Sequence, residues 1–269
     1  MKIAVCVKQV PDSWAEKKMA GGVLDRASVD AVLNDLDEYA VEEALRIVAA
    51  NSPTKEVGEG SGHTITLISM GPDRATEAIR KALSMGADEA IHICDAGLGG
   101  SDALATSLVL SKAISDGGFD LVICGTESTD ARMSVIPAML AERLGWAQLT
   151  FAGSVSVDPS ATKVSIARST ELGIENMEAS FPVVVSVIEK INEPRYPSFK
   201  GIMAAKKKTI TVKSLSDIGI SPDQVGSKAA WSNVRDAVLR PARSAGIKLE
   251  DGGDGGTKLA DFLAEKRVI

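Results

Sequence analysis

Through the first half of the chain, short apolar runs alternate with stretches in which apolar residues recur at helical spacing. The runs predict strands over 3–7, 64–69, 90–94 and 121–124. The periodic stretches predict helices over 38–50, 73–84, 101–115 and 134–144. In the first helix Tyr39, Ala40, Val41, Ala44, Leu45 and Val48 form the apolar face, Ser101 stands as the N-cap of the third, and Gly86 and Gly125 follow elements that end there. Such alternation is the mark of a parallel sheet covered by helices.

Beyond residue 150 the rhythm changes. Runs over 151–157, 163–168 and 177–179 read as antiparallel strands, with Asp158-Pro159-Ser160 as the turn between the first two. The β-branched run 183–188 returns as a buried strand. Pro194 and Pro197 then hold the chain extended, Ser198 caps a short helix through Met203 and Ala205, and Lys206, Lys207 and Lys208 sit at the negative end of its dipole. Further on, Gly252-Gly253-Asp254-Gly255-Gly256 reads as a hinge before an amphipathic helix over 258–266. That pairing suits an arm reaching onto another subunit and equally a docked tail. The expected organisation is an α/β core over 1–213 with a small antiparallel excursion, followed by a C-terminal extension over 214–269.

At 269 residues, 45% hydrophobic and 25% charged, the composition is that of a soluble globular protein, and a net charge of −6 argues against nucleic-acid binding. Against that acidic background the lysines at 206–208 could steer an acidic partner. Cys6, Cys94 and Cys124 lie in apolar runs without metal-ligand spacing, so free thiols in a reducing compartment are expected. No apolar run approaches the roughly 20 residues of a membrane span, and the chain enters its first strand without a signal-peptide pattern. A cytoplasmic protein is the resulting expectation.

Ligands of an open parallel sheet bind at the carboxyl ends of its strands, which directs attention to the loops after Val7, before Glu38, after Met70 and after Gly125. Neither GxGxxG nor GxxxxGK[ST] occurs. The loop from Gly125 to Ser134 is rich in hydroxyls and small residues and carries Arg132. Its free amides would suit a phosphate, and helix capping by Asp130 or Ser134 is the competing explanation. His63 and His92 have no acid–base partner at a telling spacing, and Glu42 and Glu43, consecutive on a helix, point in different directions. No catalytic constellation emerges, so a chain without bond chemistry of its own is expected.

The segment Asn-Glu-Pro-Arg-Tyr-Pro-Ser-Phe-Lys-Gly-Ile-Met-Ala-Ala-Lys-Lys-Lys, residues 192–208, resembles the signature of the electron transfer flavoprotein beta subunit. The resemblance extends to Val7-Lys8-Gln9-Val10-Pro11-Asp12, to the run from Asn34 to Ala44, and to Ser69-Met70-Gly71-Pro72 with Ala82 to Asp88, in the family's order. It implies a Rossmann-like adenine-nucleotide-binding core, an alpha-subunit partner contacted by the C-terminal arm, and electron transfer from flavin dehydrogenases to electron transfer flavoprotein-quinone oxidoreductase.

By position, the resemblance places AMP against Cys6, Asn34, Asp35, Leu36, Asp37 and Met70, with its phosphate on Asp130, Ala131, Arg132, Met133, Ser134, Val135 and Ile136. An FAD shared with the alpha subunit would face Ser13, Trp14 and Leu36, where the family often has aromatic residues at two positions. Partner dehydrogenases would dock on Arg195, Tyr196, Phe199, Ile202 and Met203, with Phe199 as the apolar anchor. Electron-bifurcating relatives bind a second FAD in place of AMP, and their loop reads Asp-Gly-Asp-Thr-Ala-Gln-Val-Gly-Pro. Here Arg132, Met133 and Ile136 are bulkier, which favours a monophosphate. A stand-alone adenine-nucleotide sensor on the same core is the reading from a different class.

Overall fold

Strand β1 (Lys2–Cys6) sends its side chains alternately into two cores: Ile3 and Val5 into one, Ala4 and Cys6 toward the other. A strand buried on both faces needs hydrogen-bonded neighbours on each side and a helical layer above and below. The chain supplies them in the order β2 (Gln9–Pro11), β3 (Met19–Ala20), β4 (Val23–Leu24), β5 (Ala31–Leu33), α1 (Asp35–Asn51), β6 (Thr64–Met70), α2 (Thr76–Met85), β7 (Glu89–Ile93), α3 (Ala103–Gly117) and β8 (Leu121–Gly125). There follow α4 (Ile136–Leu144), β9 (Ala147–Ala152), β10 (Ser154–Asp158), β11 (Lys163–Thr170), β12 (Gly173–Ser180), β13 (Val183–Val187), α5 (Phe199–Ala205), β14 (Ile210–Lys213) and α6 (Gly226–Ala229). This computed structural model describes residues 1–21, 23–52, 62–238 and 241–269, and the chain divides into the units Met1–Arg235 and Asp236–Ile269.

The main sheet of the first unit has seven parallel strands in the order β14-β7-β6-β1-β8-β13-β9. Helices α1 and α2 cover one face and α3 and α4 the other. The chain steps from β1 to β6 to β7 in one direction and then crosses back to β8, so the strand order reverses between β1 and β8. In a Rossmann-like sheet that reversal opens a crevice at the carboxyl edge. The antiparallel excursion β10-β11-β12 packs Val155, Val157, Val164, Ile166, Met177 and Ala179 against the α1 side.

Several boundaries differ from the sequence pattern. The strand expected over 151–157 is two strands. Phe151 takes a left-handed φ of 59°, and the amide of Gly153 turns to the carbonyl of Ala167, so β9 completes the parallel sheet and only β10 belongs to the excursion. The cap of α3 is Asp102, whose Oδ1 accepts from the amide of Ala105 at 3.0 Å, because Ser101 turns its hydroxyl back to the carbonyl of Leu98. Strand β14, which the pattern did not suggest, pairs with β7 at the sheet edge, and beyond it Leu215, Ile218, Ile220 and Val225 are buried in the α3 side of the core. In the second unit, α7 (Gly255–Glu265) starts inside the glycine run, where Asp251 accepts hydrogen bonds from the amides of Gly253 and Gly255.

The lysine cluster after α5 is also divided in role. Lys206 and Lys207 are exposed, but Lys208 is half-buried and donates to the carbonyls of Leu83, Gly86 and Ala87 at 3.2, 3.3 and 2.5 Å. Those oxygens lie at and just beyond the C-terminal end of α2, where helix carbonyls run short of intrahelical donors. Arg80 returns the contact, donating to the carbonyls of Ala205 and Lys208. Lys208→Met is therefore expected to destabilise the fold by about 1–3 kcal/mol, whereas Lys206→Met should stay within about 0.5 kcal/mol. Urea unfolding midpoints compare the two, and equal values would show that Lys208 is no more structural than its neighbour.

Candidate functional site

A cavity of about 640 Å³ opens at the crevice between β1 and β8, within the size range of small-molecule sites. Cys6 and Cys124, paired in register on the two strands, form part of its floor with Ile68 and Met70 from β6. Leu98, Thr106 and Leu110 line the α3 side. Gly21, Val23 and Arg26, in and after the β3–β4 hairpin, form one rim, and Ser227, Ala230 and Ser232 form another. The latter rim is tied down by Asp102, whose Oδ2 accepts from the amides of Trp231 and Ser232 at 2.8 and 3.2 Å. The hydrogen bond that the Cys124 thiol gives to Cys6, together with burial, pushes it well above the ordinary thiol range, so it is a neutral part of the wall.

The start of α1 determines how the loop after β8 is held. Asn34 is fully buried and uses its whole amide: Nδ2 donates to Asp37 Oδ1 and to the carbonyl of Glu127, both at 2.9 Å, and Oδ1 accepts from the amide of Thr129 at 3.0 Å. Asp37 Oδ2 accepts from the amide of Lys8 at 2.8 Å, joining the loop after β1 to the same point. Gly125 permits this convergence, since a Cβ there would stand 2.7 Å from both Asp37 Oδ1 and the carbonyl oxygen of Leu36.

Neither Asp130 nor Ser134 caps α4. The Ser134 hydroxyl donates to Glu127 at 2.9 Å, and Asp130, with a side chain only 2% exposed, binds Lys8 Nζ at 2.7 Å and Arg26 Nε at 2.8 Å. Burial alone would raise the Asp130 carboxyl, but Lys8, Ser128 and Arg26 together hold it below the usual range, so it is ionised. Lys8 and Arg26 both line the cavity. Of the residues expected from the sequence, Cys6, Asp37, Met70, Ala131, Met133, Ser134, Val135 and Ile136 line it. Asn34 and Asp130 stand behind that wall as its supports. Asp35 is exposed, Leu36 turns its carbonyl to Gly125, and Arg132 is exposed beside Glu127 at 3.4 Å. Ser13 and Trp14 are exposed, Trp14 at 95%. Lys8 and Arg26 are the site residues that sequence reasoning missed; Lys8 lay inside a quoted motif, but nothing local marked its side chain.

A second surface lies after β13. Ser198 caps α5 by accepting from the amide of Gly201 at 3.1 Å, and Phe199, Ile202 and Met203, at i, i+3 and i+4, share one face. Phe199 is 80% exposed and Tyr196, just before the helix, 96%. Arg195, expected among the docking residues, pairs its guanidinium with Glu42 at 2.7 Å while its side chain stays 43% exposed. Glu42 and Glu43, read from the sequence as pointing apart, both reach this loop, Glu43 through Asn192 at 2.9 Å. The histidines are structural: buried His92 donates from Nε2 to the carbonyl of Gly71 at 3.1 Å, and His63 Nε2 lies 3.2 Å from the carbonyl of Asn51.

Burial raises Asp37 from 3.8 to about 7 against the opposing hydrogen bonds from Asn34 and Lys8. Below about pH 4 the carboxyl is protonated folded or unfolded. As pH rises toward 7 the unfolded group ionises first, so the stability this group contributes is lost. The stability advantage of the wild type over Asp37→Asn should thus shrink by up to about 4 kcal/mol across that window, at about 1.4 kcal/mol per unit. Urea titrations of both proteins from pH 4.5 to 7.5 measure it, and a constant difference would mean that Asp37 titrates as an ordinary surface aspartate.

The match to known proteins agrees with this geometry. The electron transfer flavoprotein domain model matches residues 21–218. The chain is 48% identical over 270 residues to the electron transfer flavoprotein subunit beta of Mycobacterium leprae (strain TN), covering 99% of both chains. It is 36% identical to the subunit of the same name from Megasphaera elsdenii, over all of this chain and 98% of that one. It is 34% identical over the full length of both chains to the caffeyl-CoA reductase-Etf complex subunit CarD of Acetobacterium woodii. With the Rossmann-like sheet, the crevice loops and the 192–208 segment all in place, the chain belongs to the electron transfer flavoprotein beta-subunit family.

Proposed function

We propose that the crevice cavity holds AMP and that an FAD lies between this chain and an electron transfer flavoprotein alpha subunit. The face of α5 then docks flavin dehydrogenases, acyl-CoA dehydrogenases among them. In this reading the FAD supplies the redox chemistry, electrons leave to a quinone oxidoreductase, and the second unit serves as the arm toward the alpha subunit. The three free thiols support a reducing, cytoplasmic setting.

The observation that carries the nucleotide reading is the cation pair on Asp130. An ionised, buried carboxylate does not take an anion itself. It fixes Lys8 and Arg26 at the cavity wall, where they would meet a phosphate with preset geometry. Apolar Ile68, Met70, Leu98 and Leu110 suit the adenosine part. Bulky Met133, Val135 and Ile136 on the wall favour a monophosphate over the diphosphate of a dinucleotide. A second FAD in place of AMP, as in an electron-bifurcating subunit, is the competing occupant.

Co-expression with an alpha subunit, release of the bound nucleotides and mass analysis test the assignment. One FAD and one AMP per heterodimer are expected, and two FAD would overturn the AMP reading. Arg26→Met and Lys8→Met should each weaken AMP retention by about tenfold, equivalent to about 1.4 kcal/mol. Equilibrium dialysis with AMP measures it, and unchanged affinity in both variants would remove the cation pair from the site. Phe199→Ala should raise the apparent KM for a reduced acyl-CoA dehydrogenase by about tenfold, as loss of a central apolar anchor does, with nucleotide content unchanged.

A further inference from the structure

The docking surface stands on a base that its own sequence does not supply. Segment 192–198 lies between β13 and α5 without strand or helix, and among the described residues its hydrogen bonds to the rest of the fold land on α1. Arg195 gives Glu42 three of them: Nε to Oε2 at 2.7 Å, Nη2 to Oε1 at 2.9 Å, and the backbone amide to Oε2 at 3.2 Å. The Glu42 side chain is 7% exposed, so this is a two-pronged charge-assisted contact on a carboxylate removed from water. Three residues earlier, Asn192 Nδ2 donates to Glu43 Oε2 and to the carbonyl of Tyr39 at 2.9 and 3.1 Å. The far side of α5 rests on α2 so closely that a Cβ on Gly201 would stand 2.6 Å from the carbonyl oxygen of Ser84.

A segment without internal backbone pairing would sample many conformations if left alone, and ordering it on contact with a partner would weaken binding. The tethers act on the two residues that precede the exposed Tyr196 and Phe199. We infer that Arg195 and Asn192 are positioning residues: locked onto Glu42 and Glu43 of α1, they hold the Tyr196–Phe199–Ile202–Met203 patch in its docking conformation before any donor arrives, and Arg195 makes no charge contact with the donor. This inference rests on the reading of α5 as the donor-docking face.

The test uses the alpha–beta complex with FAD bound, carrying Glu42→Gln, Arg195→Lys, the two together, and Phe199→Ala as the probe of the docking reading itself. Glu42→Gln keeps the shape of the side chain and removes the charge. Arg195→Lys keeps the loop's positive charge and removes the two-pronged geometry. Turnover is followed with a reduced acyl-CoA dehydrogenase over a concentration series, with reduction by dithionite as a control that needs no docking. Hydrogen exchange of the amides in 192–203 is read without any donor.

Each single variant is expected to raise the donor KM by about fivefold to tenfold with kcat and the dithionite rate unchanged, and to speed exchange in 192–203. The double variant should be no worse than either single one, because both remove the same contact. Unchanged KM and exchange in Glu42→Gln, while Phe199→Ala raises KM, would overturn the positioning role and leave the docking face standing. A normal KM in Arg195→Lys beside a raised one in Glu42→Gln would also overturn it, since retained charge alone would then suffice. A normal KM in Phe199→Ala would remove the docking reading itself.

Discussion

How closely helix α1 can approach the end of strand β8 decides the arrangement of the whole carboxyl edge. Gly125 has no side chain to keep Asp37 and the carbonyl of Leu36 away, and that single absence lets the first turn of α1 sit at the crevice. Asn34 then spends no polar atom on water: it joins Asp37 to the backbone of Glu127 and Thr129. With Asp37 also holding the amide of Lys8, the loops after β1 and β8 are fixed to one another through the helix rather than directly. The burial that makes this junction rigid is the same burial that raises the pKa of Asp37 toward neutrality.

Charge at the site follows from the junction. Once the loop after β8 is fixed, Asp130 faces inward and is tolerable there as an anion only because Lys8 and Arg26 converge on it. Lys8 and Arg26 are the cations of the cavity wall, which Asp37, Asp102 and Glu127 also line.

The sheet and its helices were legible because burial imposes periods of two and 3.6 on the sequence, and β1, α1, α2, β8 and β13 are long enough to display them. Contacts between distant parts were not legible. Lys8 and Arg26 lie 122 and 104 positions from Asp130, and nothing local marks either as its partner. Nothing local marked Glu42 and Glu43 as partners of residues 192 and 195 either: they point in different directions along the helix, but a loop that crosses it meets both. Lys208 looked like one of three solvated lysines because the carbonyls it meets lie at and just past the end of α2, more than a hundred residues earlier. The division of 151–157 falls at Gly153, two residues after Phe151 takes its left-handed φ, inside a run whose apolar pattern reads as continuous. Of the segments quoted for the family resemblance, only Val7, Lys8, Asp37 and Met70 line the cavity, and most of its wall comes from 98–110, 124–137 and 227–234, outside those segments.

The apolar side chains of the patch around α5 point away from the residues that carry it. Tyr196 and Phe199 face solvent, whereas Arg195, Asn192, Gly201 and Lys208 belong to the contacts with α1 and α2. Surface and mount are therefore separable in inheritance. On the proposed docking reading, substitutions at Tyr196, Phe199, Ile202 and Met203 would retune which proteins are recognised at little expense to folding, and lineages could diverge in partner choice while the mount stays fixed. A chain of this kind is a socket whose lining can be exchanged without rebuilding its wall.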